Sequence, residues 1–248
     1  MKIYKNYEMP PCYDFIPLYE KILTAPSVLI AGRPGSGKSV LLNGLIYNAM
    51  ANNTPETQFY FIDPKRVELN RYKTLPHCKG LAKDPQAACE ILLTVSDIME
   101  NRYKSMERKN QVKSPEKPIY IFCDEIADIM LSDYKRPFSD MLQHILQLGR
   151  AANIHTVLCT QIVNRQVING KIQACINDKI ALKCSTSIES RQIINIPGAE
   201  ALPKYGNAIW LNNNGYDKIG NIPLIDDSAI AARIDFWKRA KWKYNIIF

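Results

Sequence analysis

A glycine-rich segment at residues 32–39 constrains this 248-residue chain more than any other feature. It reads Gly-Arg-Pro-Gly-Ser-Gly-Lys-Ser and follows the apolar run of residues 27–31, which predicts a buried strand. Glycines let successive backbone N–H groups turn towards an anion, and the N-terminus of a following helix adds a favourable dipole. The segment therefore predicts a phosphate loop for a nucleoside triphosphate, followed by a helix over residues 40–50.

The polar side chains of this phosphate loop have separate expected roles. Lys38 would reach the β- and γ-phosphates, and the hydroxyl of Ser39 would bind Mg²⁺. The expected nucleotide contacts are Gly32, Arg33, Pro34, Gly35, Ser36, Gly37, Lys38, Ser39 and Val40.

Composition limits the class of protein less sharply than the loop does. With 46% hydrophobic residues, the chain has enough apolar surface for one large α/β domain or two small ones. The net charge of +8 fits an anionic partner such as nucleic acid, and it equally fits an ordinary basic surface. The seven cysteines form no Cys-x-x-Cys pair, which indicates buried, reduced thiols in a cytoplasmic protein. Without an apolar run of 18 residues or a leader sequence, we expect no membrane segment.

Apolar runs alternate with helical patterns along the chain. Strands are predicted at residues 27–31, 58–62, 119–123, 155–159 and 180–184, with helices at 40–50, 85–109 and 137–152. A hairpin is predicted from strands 208–211 and 218–222, turning across residues 212–215. This alternation predicts an α/β fold, in which a mostly parallel sheet carries helices on both faces.

The same patterns divide the chain into three parts. Residues 1–26 contain three prolines and several aromatic residues, and we expect an irregular arm or a short cap on the core. Residues 27–225 form the nucleotide-binding domain. Residues 226–248 end in a segment of alternating basic and aromatic residues, for which a helix docked on the core is favoured over a base-stacking platform.

An acidic pair, Asp124-Glu125, directly follows the predicted strand at residues 119–123. At a strand end, the aspartate can hold Mg²⁺ and the glutamate can orient and deprotonate a water molecule. Gln161 ends the next strand, where an amide can sense the γ-phosphate, although an ordinary loop residue is the alternative. From its position alone, Arg150 is a charged residue late in a helix.

Two further charged segments have weaker signals. Residues 63–69, which begin Asp-Pro-Lys, predict an exposed turn of mixed charge. Residues 162–191 are rich in lysine and arginine, so this segment could follow a phosphate backbone, although a solvated surface is the more ordinary explanation.

The motifs occur together in one order along residues 26–222. They are residues 28–32 with 35–40, 61–65 with Glu68 and Leu69, 75–77, 99–104, 124–128, 149–155, 167–170, Ser190 with Arg191, and 198–200. In this order the chain resembles the motor domain of the FtsK/SpoIIIE DNA translocases, within the HerA/FtsK group of P-loop ATPases with a RecA-like fold.

The resemblance implies a ring of six motor domains that hydrolyse ATP between subunits and thread double-stranded DNA through the centre. It implies ATP and Mg²⁺ as cofactors and a catalytic set of Lys38, Asp124, Glu125, Gln161 and Arg150. In this set, Arg150 is the arginine finger that reaches a neighbour's nucleotide, and Ser39 and Asp124 hold the metal ion. The segments after Gln161 and before Arg191 would be pore loops.

The chain departs from the family pattern in the first of these pore loops. Ile162 and Val163 replace an expected Arg-Pro, and Gln173 replaces an expected lysine. We expect Arg165 and Lys171 to take over those phosphate contacts, and Arg191 to contact DNA as in the family pattern.

Missing membrane segments and a missing DNA-orientation reader favour a motor of a phage, plasmid or conjugative element, with a relaxase, packaging or membrane partner. A type VII protein-secretion ATPase and a conjugative coupling ATPase are the alternatives. A third possibility is an adaptor that binds ATP without hydrolysis, but the intact Lys38, Ser39, Asp124 and Glu125 argue against it.

Overall fold

The computed structural model describes residues 16–54 and 56–244, with side chains as far as residue 240. Predicted features of residues 1–15 and 245–248, including Cys12, and the side chains of the basic aromatic segment beyond residue 240 lie outside this description. The strands are β1 (Ser27–Ala31), β2 (Gln58–Ile62), β3 (Cys78–Ala82), β4 (Ile119–Cys123), β5 (Ile154–Thr160), β6 (Asp178–Leu182), β7 (Ala208–Asn212) and β8 (Gly215–Ile219). The helices are α1 (Pro17–Leu23), α2 (Lys38–Asn52), α3 (Pro85–Arg108), α4 (Ile126–Met130), α5 (Lys135–Leu148), α6 (Gly170–Cys175), α7 (Ser187–Ile194) and α8 (Asp227–Tyr244).

The eight strands form one sheet in the order β3-β2-β4-β5-β1-β6-β7-β8. Strands β1 to β6 run parallel, and β7 and β8 complete the sheet as an antiparallel hairpin. In the register, Ala31 lies beside Thr160, and Cys123 lies beside both Ile62 and Leu158. The segments that follow β1, β2, β4 and β5 therefore start at the same edge of the sheet, which we call the carboxyl edge.

Two large apolar cores cover most of the two faces of this sheet, beside a smaller cluster under α7. One contains buried residues of α1, α2 and α8, and the other contains buried residues of α3, α4 and α5. The predicted α/β fold, a mostly parallel sheet between two helical layers with a C-terminal hairpin and helix, is confirmed. Among the described residues, no helix is long and apolar enough to span a bilayer.

In residues 16–26, the described part of the predicted arm or cap, α1 packs against the helix that follows the phosphate loop. Its Tyr19 is buried against Gly44, which leaves no room for a side chain at that glycine. The Tyr19 hydroxyl also donates a hydrogen bond to the Pro223 carbonyl. The first helix thereby joins α2 to the segment before α8.

Strand β3 is absent from the sequence-based prediction. It is an edge strand with only one fully buried residue, Ala82, and it contains Lys79 and Gly80. Edge strands are half solvated, so they lack the continuous apolar run that marks a central parallel strand.

Three predicted boundaries are wrong by two to four residues. The helix predicted to reach residue 152 ends at Leu148, because the chain turns through residues 149–153 with Asn153 in the left-handed region at φ 57°. The second hairpin strand begins at Gly215 rather than Lys218, so residues 213 and 214 make the turn. Strand β6 begins at the buried Asp178, whose carboxylate accepts a hydrogen bond from Trp210 Nε1 at 2.8 Å.

The cysteines follow the expected burial only in part. Cys123, Cys159 and Cys184 are buried, although Cys184 lies beyond the end of β6. The thiols of Cys78, Cys89 and Cys175 are partly exposed, which contradicts their expected burial. All six are free.

Candidate nucleotide site

A cleft of about 460 Å³ lies at the carboxyl edge of the sheet, where the phosphate loop follows β1. It brings the phosphate loop together with the segments that follow β2, β4 and β5. Its lining residues are Gly35, Gly37, Lys38, Ser39, Val40, Lys65, Val67, Glu68, Asp124, Gln161 and Tyr205.

The phosphate loop is anchored at its start by two backbone hydrogen bonds to neighbouring segments. The Gly32 N–H donates to the Thr160 carbonyl at 3.4 Å, and the Arg33 N–H donates to the Lys183 carbonyl at 3.0 Å. Gly35 and Gly37 have φ values of 72° and 105°, a region that only glycine enters without strain. Pro34 lies exposed between the anchored start and these glycines. Five of the nine expected nucleotide contacts line the cleft: Gly35, Gly37, Lys38, Ser39 and Val40.

The Lys38 ammonium lies inside the loop. The side chain is only 6% exposed, and Nζ donates to the carbonyls of Gly32 at 2.8 Å and Arg33 at 3.2 Å. Burial lowers the pKa of Lys38, and the Glu125 and Asp124 carboxylates oppose that shift. The buried Ser36 hydroxyl has no hydrogen-bond partner among the described residues. A cation and an unpaired hydroxyl inside a glycine loop match the needs of a phosphate group.

The Asp124 carboxylate is buried near other carboxylates, and the charge of Lys65 offsets them only in part. Burial raises the pKa of Asp124 to about 6, and the charges of Glu68, Asp63 and Glu125 add to this shift. The described residues contain no group of three or more His, Cys, Asp and Glu side chains that forms a metal site by itself. Mg²⁺ commonly binds one or two protein oxygens together with phosphate oxygens and water. Ser39 and Asp124 line the same cleft and fit that role.

The Glu125 carboxylate is held by donors from three segments. Its Oε1 accepts from the Gln161 N–H at 3.1 Å and from the Ala127 N–H at 3.4 Å, and its Oε2 accepts from Lys65 Nζ at 3.1 Å. The carboxylate is only 2% exposed. Such a group has a fixed orientation at the end of β4, beside Asp124 and the backbone of Gln161.

Residues 63–69 form the predicted turn, and residues 65–67 are exposed as expected, but both ends of the turn are buried. Asp63 and Leu69 are fully buried, and the Asp63 carboxylate accepts the Leu69 N–H at 2.9 Å, which closes the turn. This closure directs Lys65 and Glu68 into the cleft. Burial opposes the charged form of Lys65, but its hydrogen bond to Glu125 and the charges of the nearby carboxylates together raise its pKa.

Four cleft residues were therefore missed from the sequence: Lys65, Val67, Glu68 and Tyr205. The Asp-Pro-Lys run after a buried strand was the available signal for the first three. Tyr205 lies in a loop far along the chain and gives no local signal. Val67 and Tyr205 are 70% and 63% exposed at the mouth of the cleft, so they offer apolar surface to a nucleotide base.

Arg150 lies at the opposite edge of the sheet from this cleft. It precedes β5, whereas Gln161 follows β5, and the seven residues of that strand span about 20 Å. Arg150 is exposed beside a hollow of about 290 Å³ that Lys113 and His155 also line. Its guanidinium has no hydrogen bond or ion pair within the described part of the chain. The geometry separates Arg150 from the other four predicted catalytic residues of its own chain.

Two of the three predicted DNA contacts face one groove. Arg165, in the loop after β5, and Arg191, on α7, line a groove of about 540 Å³ together with Gln173. Lys171 is exposed on α6 and is not part of the groove lining.

Known proteins match both the sequence and the fold. The model of the FtsK/SpoIIIE family matches residues 16–117. The DNA translocase FtsK of Listeria monocytogenes is 36% identical over 207 residues, which are 75% of this chain and 27% of that protein. The DNA translocase SpoIIIE of Bacillus subtilis is 36% identical over 210 residues, or 75% of this chain and 26% of the relative. The chain thus spans about a quarter of the length of these relatives.

Two solved structures share the fold at 20% sequence identity. The pCW3 conjugation coupling protein TcpA, solved as a monomer with ATPγS, has a TM-score of 0.76 over 88% of this chain and 65% of its own. EssC of Geobacillus thermodenitrificans, solved as its ATPases 2 and 3, has a TM-score of 0.74 over 90% of this chain and 45% of its own. The resemblance is confirmed: this chain is a relative of the FtsK/SpoIIIE family of DNA translocases, and its residues 16–117 match the family model.

Proposed function

We propose that this chain is an ATP-driven motor that moves double-stranded DNA through a hexameric ring of its own copies. The observation that carries the proposal is the position of Arg150. The proposed phosphate, metal and water-orienting groups of the described residues lie at one edge of the sheet, and Arg150, whose guanidinium has no partner among those residues, lies at the other edge. A ring of identical subunits, in which one edge faces the next, joins the two halves.

The cleft residues divide the hydrolysis reaction among them. Lys38 would leave the loop carbonyls and bind the β- and γ-phosphates of ATP, while Ser39 and Asp124 hold Mg²⁺, which offsets the phosphate charge. Glu125 would accept the proton of the attacking water, which its fixed carboxylate can orient. Arg150 of a neighbouring copy would stabilise the charge of the transition state, a contribution of about 10³–10⁵ in rate for such fingers.

The basic groove beside the cleft supports DNA as the substrate. Gln161 lines the nucleotide cleft, and the loop that it begins carries Arg165 into the groove shared with Arg191. A change at the γ-phosphate would therefore act directly on a segment that contacts the DNA backbone, with Lys171 adding charge nearby. The net charge of +8 favours such a polyanion.

We further place this motor in the cytoplasm, on a phage, plasmid or conjugative element, with a relaxase, packaging or membrane partner.

ATP hydrolysis with and without DNA tests the proposal. Duplex DNA should stimulate ATP hydrolysis several-fold, and Lys38→Ala should abolish hydrolysis with or without DNA. Lys104→Ala, at an exposed site on α3, is the control and should behave as the wild type. Hydrolysis without stimulation by duplex or single strands would instead identify a protein-secretion ATPase. Nucleotide binding without any hydrolysis would identify an adaptor.

A further inference from the structure

Residues 99–104 form a motif near the end of α3 that contributes no side chain to the nucleotide cleft or the basic groove. Two of its side chains, Arg102 and Tyr103, point instead to the turn between α5 and β5. We call residues 149–153 the finger turn, because Arg150 lies in it.

Arg102 is an almost fully buried cation that bonds to backbone carbonyls. Its side chain is 4% exposed. Nη1 donates to the carbonyls of Ala152 at 2.6 Å and Asn153 at 3.3 Å, and Nη2 donates to the Lys117 carbonyl at 2.8 Å. Nε lies 3.2 Å from a carboxylate oxygen of Glu116, which neutralises the buried charge.

Further hydrogen bonds hold the finger turn on both sides of Arg150. The Tyr103 hydroxyl donates to the Leu148 carbonyl at 2.8 Å, at the end of α5. The Ser114 N–H donates to the Ala151 carbonyl at 2.8 Å. The last carbonyls of a helix have no partner inside that helix, and a nearby cation is favourable at the negative end of its dipole.

The backbone of the finger turn and the side chain of Arg150 differ in how they are held. The backbone on both sides of Arg150 is fixed by a buried cation and a tyrosine, while its guanidinium is exposed and has no partner within the described part of the chain. The position of Arg150 is therefore set by the finger turn and not by contacts of its own side chain.

We propose that Arg102, assisted by Tyr103, is a positioning residue that holds the finger turn where Arg150 reaches the nucleotide of the neighbouring copy. This inference rests on the proposed function, because it needs the finger to act between subunits. A displacement of about 1 Å in a catalytic group can reduce a rate by about 100-fold, so the hydrogen bonds to the turn control catalysis from a distance.

The first test is the kinetics of Arg102→Lys, which keeps the buried charge but loses the forked donor geometry. The kcat for ATP should fall by about 10- to 100-fold while KM changes less than about two-fold, because the nucleotide cleft lies at the opposite edge of the sheet. Tyr103→Phe removes one hydrogen bond and should lower kcat by about three-fold. Lys104→Ala, the exposed neighbour, should leave both constants unchanged.

The second test is complementation in mixed rings. Arg102→Lys subunits keep an intact cleft, and Lys38→Ala subunits keep an intact finger, so an equimolar mixture should hydrolyse ATP faster than either variant alone. A mixture of Arg150→Ala with Lys38→Ala should show the same recovery.

The outcomes separate the two proposals. Failure of the Arg150→Ala mixture to recover would overturn the finger between subunits, and with it the proposed function. Recovery of that mixture, without recovery of the Arg102→Lys mixture, would overturn only the positioning role. Wild-type kcat in Arg102→Lys would overturn it as well. If Arg102→Lys fails to fold, the kcat of Tyr103→Phe decides the question, and an unchanged value counts against the proposal.

Discussion

At the scale of single residues, the candidate nucleotide site holds carboxylates that repel one another when no nucleotide is bound. Asp124 is buried close to Asp63, Glu68 and Glu125, and its pKa of about 6 reflects that burial and repulsion. A carboxyl group whose pKa is higher in the folded state than in the unfolded state destabilises the fold once it ionises. Mg²⁺ and nucleotide would remove this penalty, so the site favours a bound cation.

The stability of Asp124→Asn should reveal this penalty. From the shift between 3.8 and about 6, the gain in unfolding free energy is on the order of 2–3 kcal/mol. The sign follows from linkage: both states are protonated below about pH 4, so the gain is absent there, grows between pH 4 and pH 6, and is complete above pH 6. Urea denaturation without nucleotide at pH 4.5 and pH 8 measures it. An equal gain at both pH values would contradict this origin.

Lys65 orients the proposed general base, and its removal should separate binding from chemistry. In Lys65→Met, the Glu125 carboxylate would keep only its backbone donors from Ala127 and Gln161. We expect kcat to fall by about ten-fold or more, while the affinity for a non-hydrolysable ATP analogue changes little. Steady-state kinetics and equilibrium binding check this, with the exposed Lys83→Ala as the matched control. Loss of analogue binding would show instead that Lys65 serves the nucleotide directly.

At the scale of elements, α8 acts as a clamp on the far end of the phosphate-loop helix. Trp237 is buried, donates from Nε1 to the Met50 carbonyl at 3.0 Å, and contacts the His77 ring edge-on at 4.9 Å. Arg233 lies over the Tyr47 ring at 5.3 Å. These contacts join α8 to α2 and to the segment before β3, so the C-terminal helix supports the helix that presents Lys38.

Substitutions at Trp237 should measure this clamp. Trp237→Ala should lower the unfolding free energy by about 3–5 kcal/mol, because it leaves a large cavity between α8 and α2. Trp237→Phe keeps most of the apolar volume but loses the hydrogen bond. It should therefore lower the unfolding free energy by only about 1 kcal/mol, the contribution of that bond. Urea titrations of both variants give these values. Equal losses would mean that the hydrogen bond, and not the volume, stabilises the contact.

At the scale of the whole molecule, the proposed function divides one site between the two edges of the sheet, and the loop that begins in the nucleotide cleft at Gln161 continues into the basic groove. Arg165 and Arg191 both line that groove although they lie 26 positions apart in the sequence. Arg165 follows β5 and Arg191 follows β6, and both of these strands pair with β1. In the proposed ring, this arrangement would couple the nucleotide to the groove within one subunit and to the finger of the neighbouring subunit.

Removing charge from the groove region should weaken DNA binding without affecting the nucleotide cleft. In the double variant Arg165→Ala with Lys171→Ala, duplex DNA should stimulate ATPase activity less, while hydrolysis without DNA stays at the wild-type rate. If both residues bind phosphates, the slope of log affinity against log salt should decrease in magnitude by about 2. DNA titrations at several salt concentrations provide the measurement. Unchanged stimulation and slope would show that other residues make the contacts.

The strands and the phosphate loop were predictable because their signals are short-range. β1, β2 and β4 are continuous apolar runs, and each predicted range matches the observed strand. The placement of Asp124 and Gln161 at one edge follows from parallel pairing, which helices between strands imply. By contrast, β3 and the true start of β6 at Asp178 were missed, because an edge position and a buried, hydrogen-bonded carboxylate hide the apolar pattern.

The sequence by itself determined the fold class, the phosphate loop and the family, since these depend on local periodicity and on the order of short motifs. Only the tertiary structure decided which distant groups meet. Lys65 pairs with Glu125 across 60 residues, and Arg102 bonds to the finger turn across 50. These contacts exist because β2 pairs with β4 and because α3 packs on α5. Side-chain partners of this kind depend on sheet order and helix packing, which no local run of residues encodes.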